Sequence, residues 1–214
     1  MTNEQNRLND GLIEKAKKAF ERNGFDVLIA DNRKNALDML KQRIPKESSI
    51  GTGGSRTLEE IGFFEYFTQE RYPNFLDRQT PNLPPEVERK AQRQILTAEY
   101  FLCSANAVTT EGQIILIDYT GNRNAAATYG PDQRIFVVGW NKITTSLEKG
   151  MERASNTAAV LNNIRFNTSN PCVTVGHCVK CESANKLCRI TTVLTRCQPP
   201  KTGTVLFIRE DLGF

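Results

Sequence analysis

Two stretches of the chain carry residue types suited to gripping an anion. Gly51-Thr52-Gly53-Gly54-Ser55 runs directly into Thr57-Leu58-Glu59-Glu60. Glycine permits positive φ and close approach of the backbone to a ligand. Thr57 and Glu60 have the Thr-x-x-Glu spacing of a capping box, which predicts a helix start. A glycine turn feeding a helix N-terminus presents unpaired N–H groups and the positive end of the helix dipole. The chemistry expected is binding of phosphate, carboxylate or pyrophosphate through Gly53, Gly54, Ser55 and Thr57. The loop lacks the Gly-Lys-Ser/Thr ending of a P-loop and the Gly-x-Gly-x-x-Gly of a dinucleotide site. A tight strand-to-helix turn whose glycines serve geometry alone is the competing reading. Glu60 is read as the reciprocal arm of the cap in preference to a catalytic acid.

The second stretch is Asp118-Tyr119-Thr120-Gly121-Asn122-Arg123, just past an expected strand, where open α/β sheets place their ligand crevice. Asp118 is the acid/base candidate, with Glu60 behind it. Gly121 gives close approach, Asn122 donates or accepts, and Arg123 can grip a carboxylate or phosphate through two parallel hydrogen bonds. Taken alone, this too reads as a polar turn with an ordinary surface arginine. Two such loops after strands of one domain favour a shared pocket.

Cysteine supplies the third group. Cys172, Cys178, Cys181 and Cys188 fall within 17 residues, spaced C-x5-C-x2-C-x6-C, beside the only histidine, His177. The Cys178-x-x-Cys181 pair can place two thiolates on one metal. A four-thiolate zinc site is the first metal reading and a [4Fe–4S] cluster the second, the C-x2-C-x2-C iron–sulfur run being absent. Reduced thiols in a loop without metal are the alternative. Cys103 and Cys197 are expected in the core. His177 alone is too little for a Cys/His nucleophile.

The elements that must position these groups read as α/β. Apolar positions at helical spacing from Leu8 to Phe20 end at Gly24, a strand follows over 25–30, and a helix capped at Asp31 or Asn32 stops at Pro45. A strand over 48–51 then enters the glycine loop. Residues 71–85 hold four of the nine prolines and read as a surface loop. Beyond it we expect a helix over 86–97, a strand over 100–103 and a hairpin of 107–110 with 113–118 around Glu111-Gly112. A short helix over 122–129, a strand over 134–139, a long helix over 146–163 and strands over 191–195 and 204–209 complete the chain. Strand, helix, strand, loop, helix begins a parallel sheet with helical crossovers, a three-layer α/β/α arrangement with a β-hairpin and a cysteine-rich loop near the C-terminus. One domain over 1–214, with the cysteine-rich insertion at 168–190, is expected.

Composition excludes several classes. The net charge of +4, from 28 basic and 24 acidic residues, is mild and has no basic run, which argues against nucleic acid. No apolar run approaches the ~20 residues that span a membrane. The polar N-terminus lacks a signal-peptide core, so a cytoplasmic location is expected.

In combination these motifs resemble the LUD-domain (lactate-utilisation) family. The residues carrying the resemblance are Gly53-Gly54-Ser55 with Thr57-Leu58-Glu59-Glu60-Ile61-Gly62, Asn106-Ala107-Val108-Thr109 with Glu111-Gly112, and Thr120-Gly121-Asn122-Arg123. Pro171-Cys172, Gly176 with Cys178, Cys181 and Cys188, and the ending Glu210-Asp211-Leu212-Gly213 add to it. The resemblance covers nearly the whole chain, and the hairpin-Gly121-helix block more distantly resembles ribose-5-phosphate isomerase/CoA-transferase-like proteins. It implies a three-layer α/β fold, an association with lactate oxidation, a small anionic metabolite as ligand and iron–sulfur proteins as partners. It also adds Asn106 and Thr109 to the binding residues. The chain has Asp118-Tyr119-Thr120 where the family pattern leads us to expect Asp-Gly-Thr, so Tyr119 should narrow the pocket. A non-catalytic subunit that uses its cysteines to dock an electron-transfer partner is the alternative function. A CoA-transferase ranks lower, because Glu60 lies on the wrong side of its cap for a nucleophile.

Overall fold

The computed structural model describes residues 2–76 and 84–214. The stretch 77–83 of the expected proline-rich loop lies outside the described residues. Helix α1 (Asn3–Arg22) starts where the Thr2 hydroxyl accepts from Gln5 N–H and ends before Gly24, whose φ of +85° closes the turn. Strand β1 (Asp26–Ala30) and helix α2 (Arg33–Arg43), capped by Asn32, follow as expected. Then come β2 (Ile50–Thr52) and two short helices, α3 (Arg56–Glu60) and α4 (Phe63–Tyr66). Helix α5 (Pro85–Gln94) continues as one 3-10 turn over Ile95–Thr97 and leads to β3 (Tyr100–Cys103). The hairpin is β4 (Ala107–Thr109) with β5 (Ile114–Asp118), before α6 (Asn122–Thr128) and β6 (Gln133–Gly139).

After the short β7 (Ile143–Thr144), the long helix is present but interrupted. It consists of α7 (Leu147–Arg153), a π turn over Ala154–Ala158, and α8 (Ala159–Arg165). Helix α9 (Pro171–Val175) opens the cysteine-rich segment, and β8 (Ile190–Leu194) and β9 (Gly203–Ile208) complete the order.

Five strands form a wholly parallel sheet in the order β1-β9-β6-β3-β2, and β7-β4-β5-β8 form a second, mixed sheet. Alternation along the parallel strands splits the core in two. Phe136 and Val138 of β6, with Val205 and Phe207 of β9, face α1, α6 and the inner face of the hairpin. Ile135, Val137, Leu206 and Ile208 face α2, α3 and α4. This three-layer α/β arrangement has helices on both faces because a buried parallel sheet needs both covered. Removing a ring such as Phe101 or Phe136 from such a core costs about 3–5 kcal/mol. Among the described residues no helix is long and apolar enough to cross a membrane.

Candidate functional site

The carboxyl ends of β2, β3 and β6 lie side by side, and the chain leaving each one bends around a common hollow. The hollow is a cavity of about 490 Å³. Gly54, Ser55 and Thr57 line it from the first loop, and Asp118, Thr120, Asn122 and Arg123 from the second, with Asn106 between them. The two stretches singled out in the sequence therefore do meet. Gly53, Glu60, Thr109 and Gly121 do not line the cavity.

Several roles differ from those expected. Ser55, not Thr57, caps α3: its Oγ accepts from Leu58 N–H at 3.2 Å. The Thr57–Glu60 capping box is thus not formed. Glu60 instead accepts from Gly213 N–H at 2.7 Å and ties down the C-terminal tail. Thr57 is free to turn inward from the first turn of the helix. Positive φ is absent from Gly51, Gly53 and Gly54. Their use is close approach: a Cβ on Gly53 would come within 2.8 Å of Arg123 Cγ, so glycine there is what lets the arginine lie against the first loop. Gly121 does use the left-handed region, at φ +85°, at the start of α6.

Asp118 holds the second loop together. One carboxylate oxygen accepts from Tyr119 N–H, and the other from Arg123 N–H at 3.0 Å and Asn124 N–H at 3.1 Å. Arg123 in turn uses Nη2 to donate to Asn106 Oδ1 at 2.9 Å and to the Ile117 carbonyl at 2.6 Å. Its Nε and Nη1 make no hydrogen bond among the described residues, and the side chain borders the cavity. Asn106 also accepts from Ile117 N–H, so it anchors the arginine rather than standing free. Thr109 is fully buried and donates to Gln113 Oε1 within the hairpin turn, away from the cavity.

Three cations in the site were not anticipated. Arg165, at the end of α8, lines the cavity with only a long ion pair to Glu59, at 3.9 Å, and with its guanidinium over Phe166 and Phe214. Burial lowers its pKa, Glu59 opposes this, and Arg56 and Arg123 lower it further. Arg153 is locked behind the site, donating to the Asn141 carbonyl at 2.9 Å and to the Asn106 carbonyl.

Lys142 is the third. It follows β6, is 2 % exposed, and donates at 2.8 Å to both Thr57 Oγ1 and Ser104 Oγ. Burial pulls its pKa down to about 7, the charges of Arg153 and Arg123 add to this, and Glu60 opposes it. A lysine three residues beyond an apolar strand is an ordinary sequence feature; only the sheet order brings it to the other groups. The guanidiniums of Arg56, Arg123 and Arg165 border the cavity beside the carboxylates of Asp118 and Glu88, with Arg56 ion-paired to Glu59 at 2.7 Å. Tyr119 borders it too, half-exposed, with Arg189 4.6 Å above its ring.

A second, smaller cavity of about 180 Å³ adjoins the first and is lined by Cys172, Cys178, Cys181 and Cys188. All four thiols are free, as are the buried Cys103 and Cys197. Cys197 lies beyond β8 in the connection to β9, not on a strand. Burial raises the Cys172 and Cys188 thiols above their ordinary pKa. His177 is exposed and takes no part in the lining. Among the described residues no three His, Cys, Asp or Glu side chains stand grouped to hold a metal ion, so the thiols as placed do not form a finished zinc or iron–sulfur site.

A wholly parallel sheet with helices around it and a cavity at its carboxyl edge makes this a three-layer α/β protein. The family is more specific: the LUD-domain profile matches residues 13–208, and the chain belongs to the LUD-domain family. Among solved structures, a DUF162 family protein from Deinococcus radiodurans matches with a TM-score of 0.55 at 14 % identity, covering 94 % of this chain and 97 % of that one. At that identity the likeness is one of fold. No curated protein matches the chain.

Proposed function

We propose that this LUD-domain protein binds a small organic anion, a short carboxylate such as lactate or a phosphorylated acid, between the glycine loop and the Thr120–Arg123 loop. The observation that carries the reading is the set of cations around one cavity, of which, among the described residues, Arg165 has only the 3.9 Å ion pair to Glu59 and Arg123 has Nε and Nη1 unengaged. Each hydrogen bond from a charged donor to such an anion contributes about 1.5–3 kcal/mol. Titration calorimetry with lactate and with inorganic phosphate tests it. Saturable binding that weakens about tenfold in Arg165→Ala supports the reading; binding indifferent to that substitution removes it.

A second reading is favoured by the convergence of four thiols on one cavity. In it the cysteine-rich segment closes on a zinc ion or cluster, and the protein serves as an assembly subunit for an iron–sulfur electron-transfer partner. Closure would have to draw the Cys178–Cys181 turn toward Cys172 and Cys188. Metal analysis with an absorption spectrum of protein purified without oxygen is the check. One equivalent of zinc, or iron with sulfide absorption, supports it, and metal-free protein discards it.

A further inference from the structure

Three neighbouring strands of the parallel sheet each deliver one member of a hydrogen-bonded trio just beyond their carboxyl ends. Thr57 comes after β2, Ser104 immediately after β3, and Lys142 after β6. The Lys142 amine lies 2.8 Å from each hydroxyl, and the hydroxyls are 3.2 Å apart. All three side chains are buried, yet all three border the 490 Å³ cavity. The anion-binding reading gives no role to the hydrogen bonds among them, and within the described residues the Lys142 amine bonds to these two hydroxyls rather than to a carboxylate, the common way to bury a lysine.

We propose that Ser104 is a nucleophile activated by Lys142, making the cavity an acyl-transfer site for short esters or thioesters that carry a carboxylate. The carboxylate specificity rests on the anion-binding reading above; the nucleophile does not.

In the first step Ser104 Oγ bonds to the acyl carbon, its proton passes to Lys142 Nζ, and the bond to the leaving alcohol or thiol breaks as that group takes the proton from Lys142. In the second step water attacks the acyl carbon, again losing its proton to Lys142, and Ser104 is released with its proton restored. The net reaction is ester plus water to acid plus alcohol, and no oxidant or reductant enters. Thr57 is a positioning residue: its hydroxyl holds the amine from beside Ser104 and also reaches the Leu212 carbonyl at 3.4 Å.

The base must be neutral to accept the proton, and its surroundings favour that. Arg123 and Arg153 repel a second positive charge at Lys142, Glu60 is the one carboxylate acting against them, and the Cys103 thiol below stays protonated through burial. Desolvation of an amine beside other cations is a recognised route to activation.

Two small serine-reactive reagents that need no anion site, the acylating p-nitrophenyl acetate and the phosphorylating diisopropyl fluorophosphate, test this on the whole chain. The expected result is covalent labelling mapped by mass spectrometry to Ser104. Labelling should be abolished in Ser104→Ala and slowed on the order of a hundredfold in Lys142→Met, with a rate that rises with pH through a midpoint near neutral. Ser104→Cys, which keeps a nucleophile and the packing, should recover labelling at the same position. Absence of label at Ser104 with both reagents overturns the proposal, as does labelling indifferent to Lys142→Met or to pH. If phosphate still binds while Ser104 stays unlabelled, the acyl-transfer proposal fails and the anion-binding reading stands. If Ser104 labels but no anion binds, the reverse holds.

Discussion

The cation-lined cavity and the cysteine-lined cavity share a wall of Ile117, Ala159, Asn163 and Cys188, but their other sides are made differently. The first is built largely on residues at or just past the ends of sheet strands, and their side chains are already held: Arg123 by Asn106, Asp118 by backbone N–H groups, Lys142 by two hydroxyls. The second is enclosed by a segment with one short helix, α9, and a turn containing Lys180 at φ +50°. Its thiols face one space without being drawn together. Side chains anchored at a sheet edge are fixed by the fold, whereas those on irregular chain are held by fewer contacts.

The largest effect that would test this contrast is a pH dependence of stability arising in the first cavity. Folded Lys142 sheds its proton above about 7, while the unfolded chain keeps it until ~10.4. Above neutrality the unfolded state therefore binds more protons, so stability rises with pH, by about 2 kcal/mol between pH 7 and 9. Beyond pH 9 Cys103 acts in the opposite sense, because burial pushes its folded pKa up to about 12 and the unfolded thiol ionises first. Urea denaturation of the wild type and Lys142→Met across pH 7 to 9 should show the rise only in the former. An equal slope in both would mean that the amine is not held as described.

Next in size is Gly53→Ala. Its Cβ would press on Arg123 within 2.8 Å and push the guanidinium away from the first loop, while the flexible arginine can yield. Phosphate affinity should fall about fivefold with little loss of stability, a change of roughly 1 kcal/mol. Unchanged affinity would show that Arg123 need not lie against Gly53 to bind. The smallest expected effect is from Tyr119→Gly, which opens the half-exposed rim of the cavity. Affinity for lactate should change by less than about threefold, since an exposed rim residue contributes little, and a tenfold change would make Tyr119 a specificity residue.

These contrasts also mark what could be read from the chain. Nearly every element was legible because hydrophobic period and glycine or proline punctuation are local: Gly24, Pro45 and Gly112 fall where the sequence places them. Both loops that border the first cavity were legible for the same reason. The capping box was misread because Ser55 competes for the same helix start and lies two residues closer to the strand; the spacing of Thr57 and Glu60 does not show which hydroxyl turns inward. Lys142, Ser104 and Arg165 were not legible. Each is unremarkable in its own segment, and only the order β6-β3-β2 and the return of α8 across the sheet edge bring them together. The π turn before α8 likewise has no local signal, though the side-chain carbonyl of Asn156 within it accepts from Cys178 N–H.

The claim that the anion lies between the two loops is tested most directly by measuring phosphate and lactate affinity in two double variants side by side. Arg123→Ala/Arg165→Ala removes two arginines from the first cavity, and Cys178→Ser/Cys181→Ser alters only the second. The account predicts a loss of about a hundredfold in the arginine variant and a change within twofold in the cysteine variant. Equal losses in both, or retention of wild-type affinity without the two arginines, would contradict it.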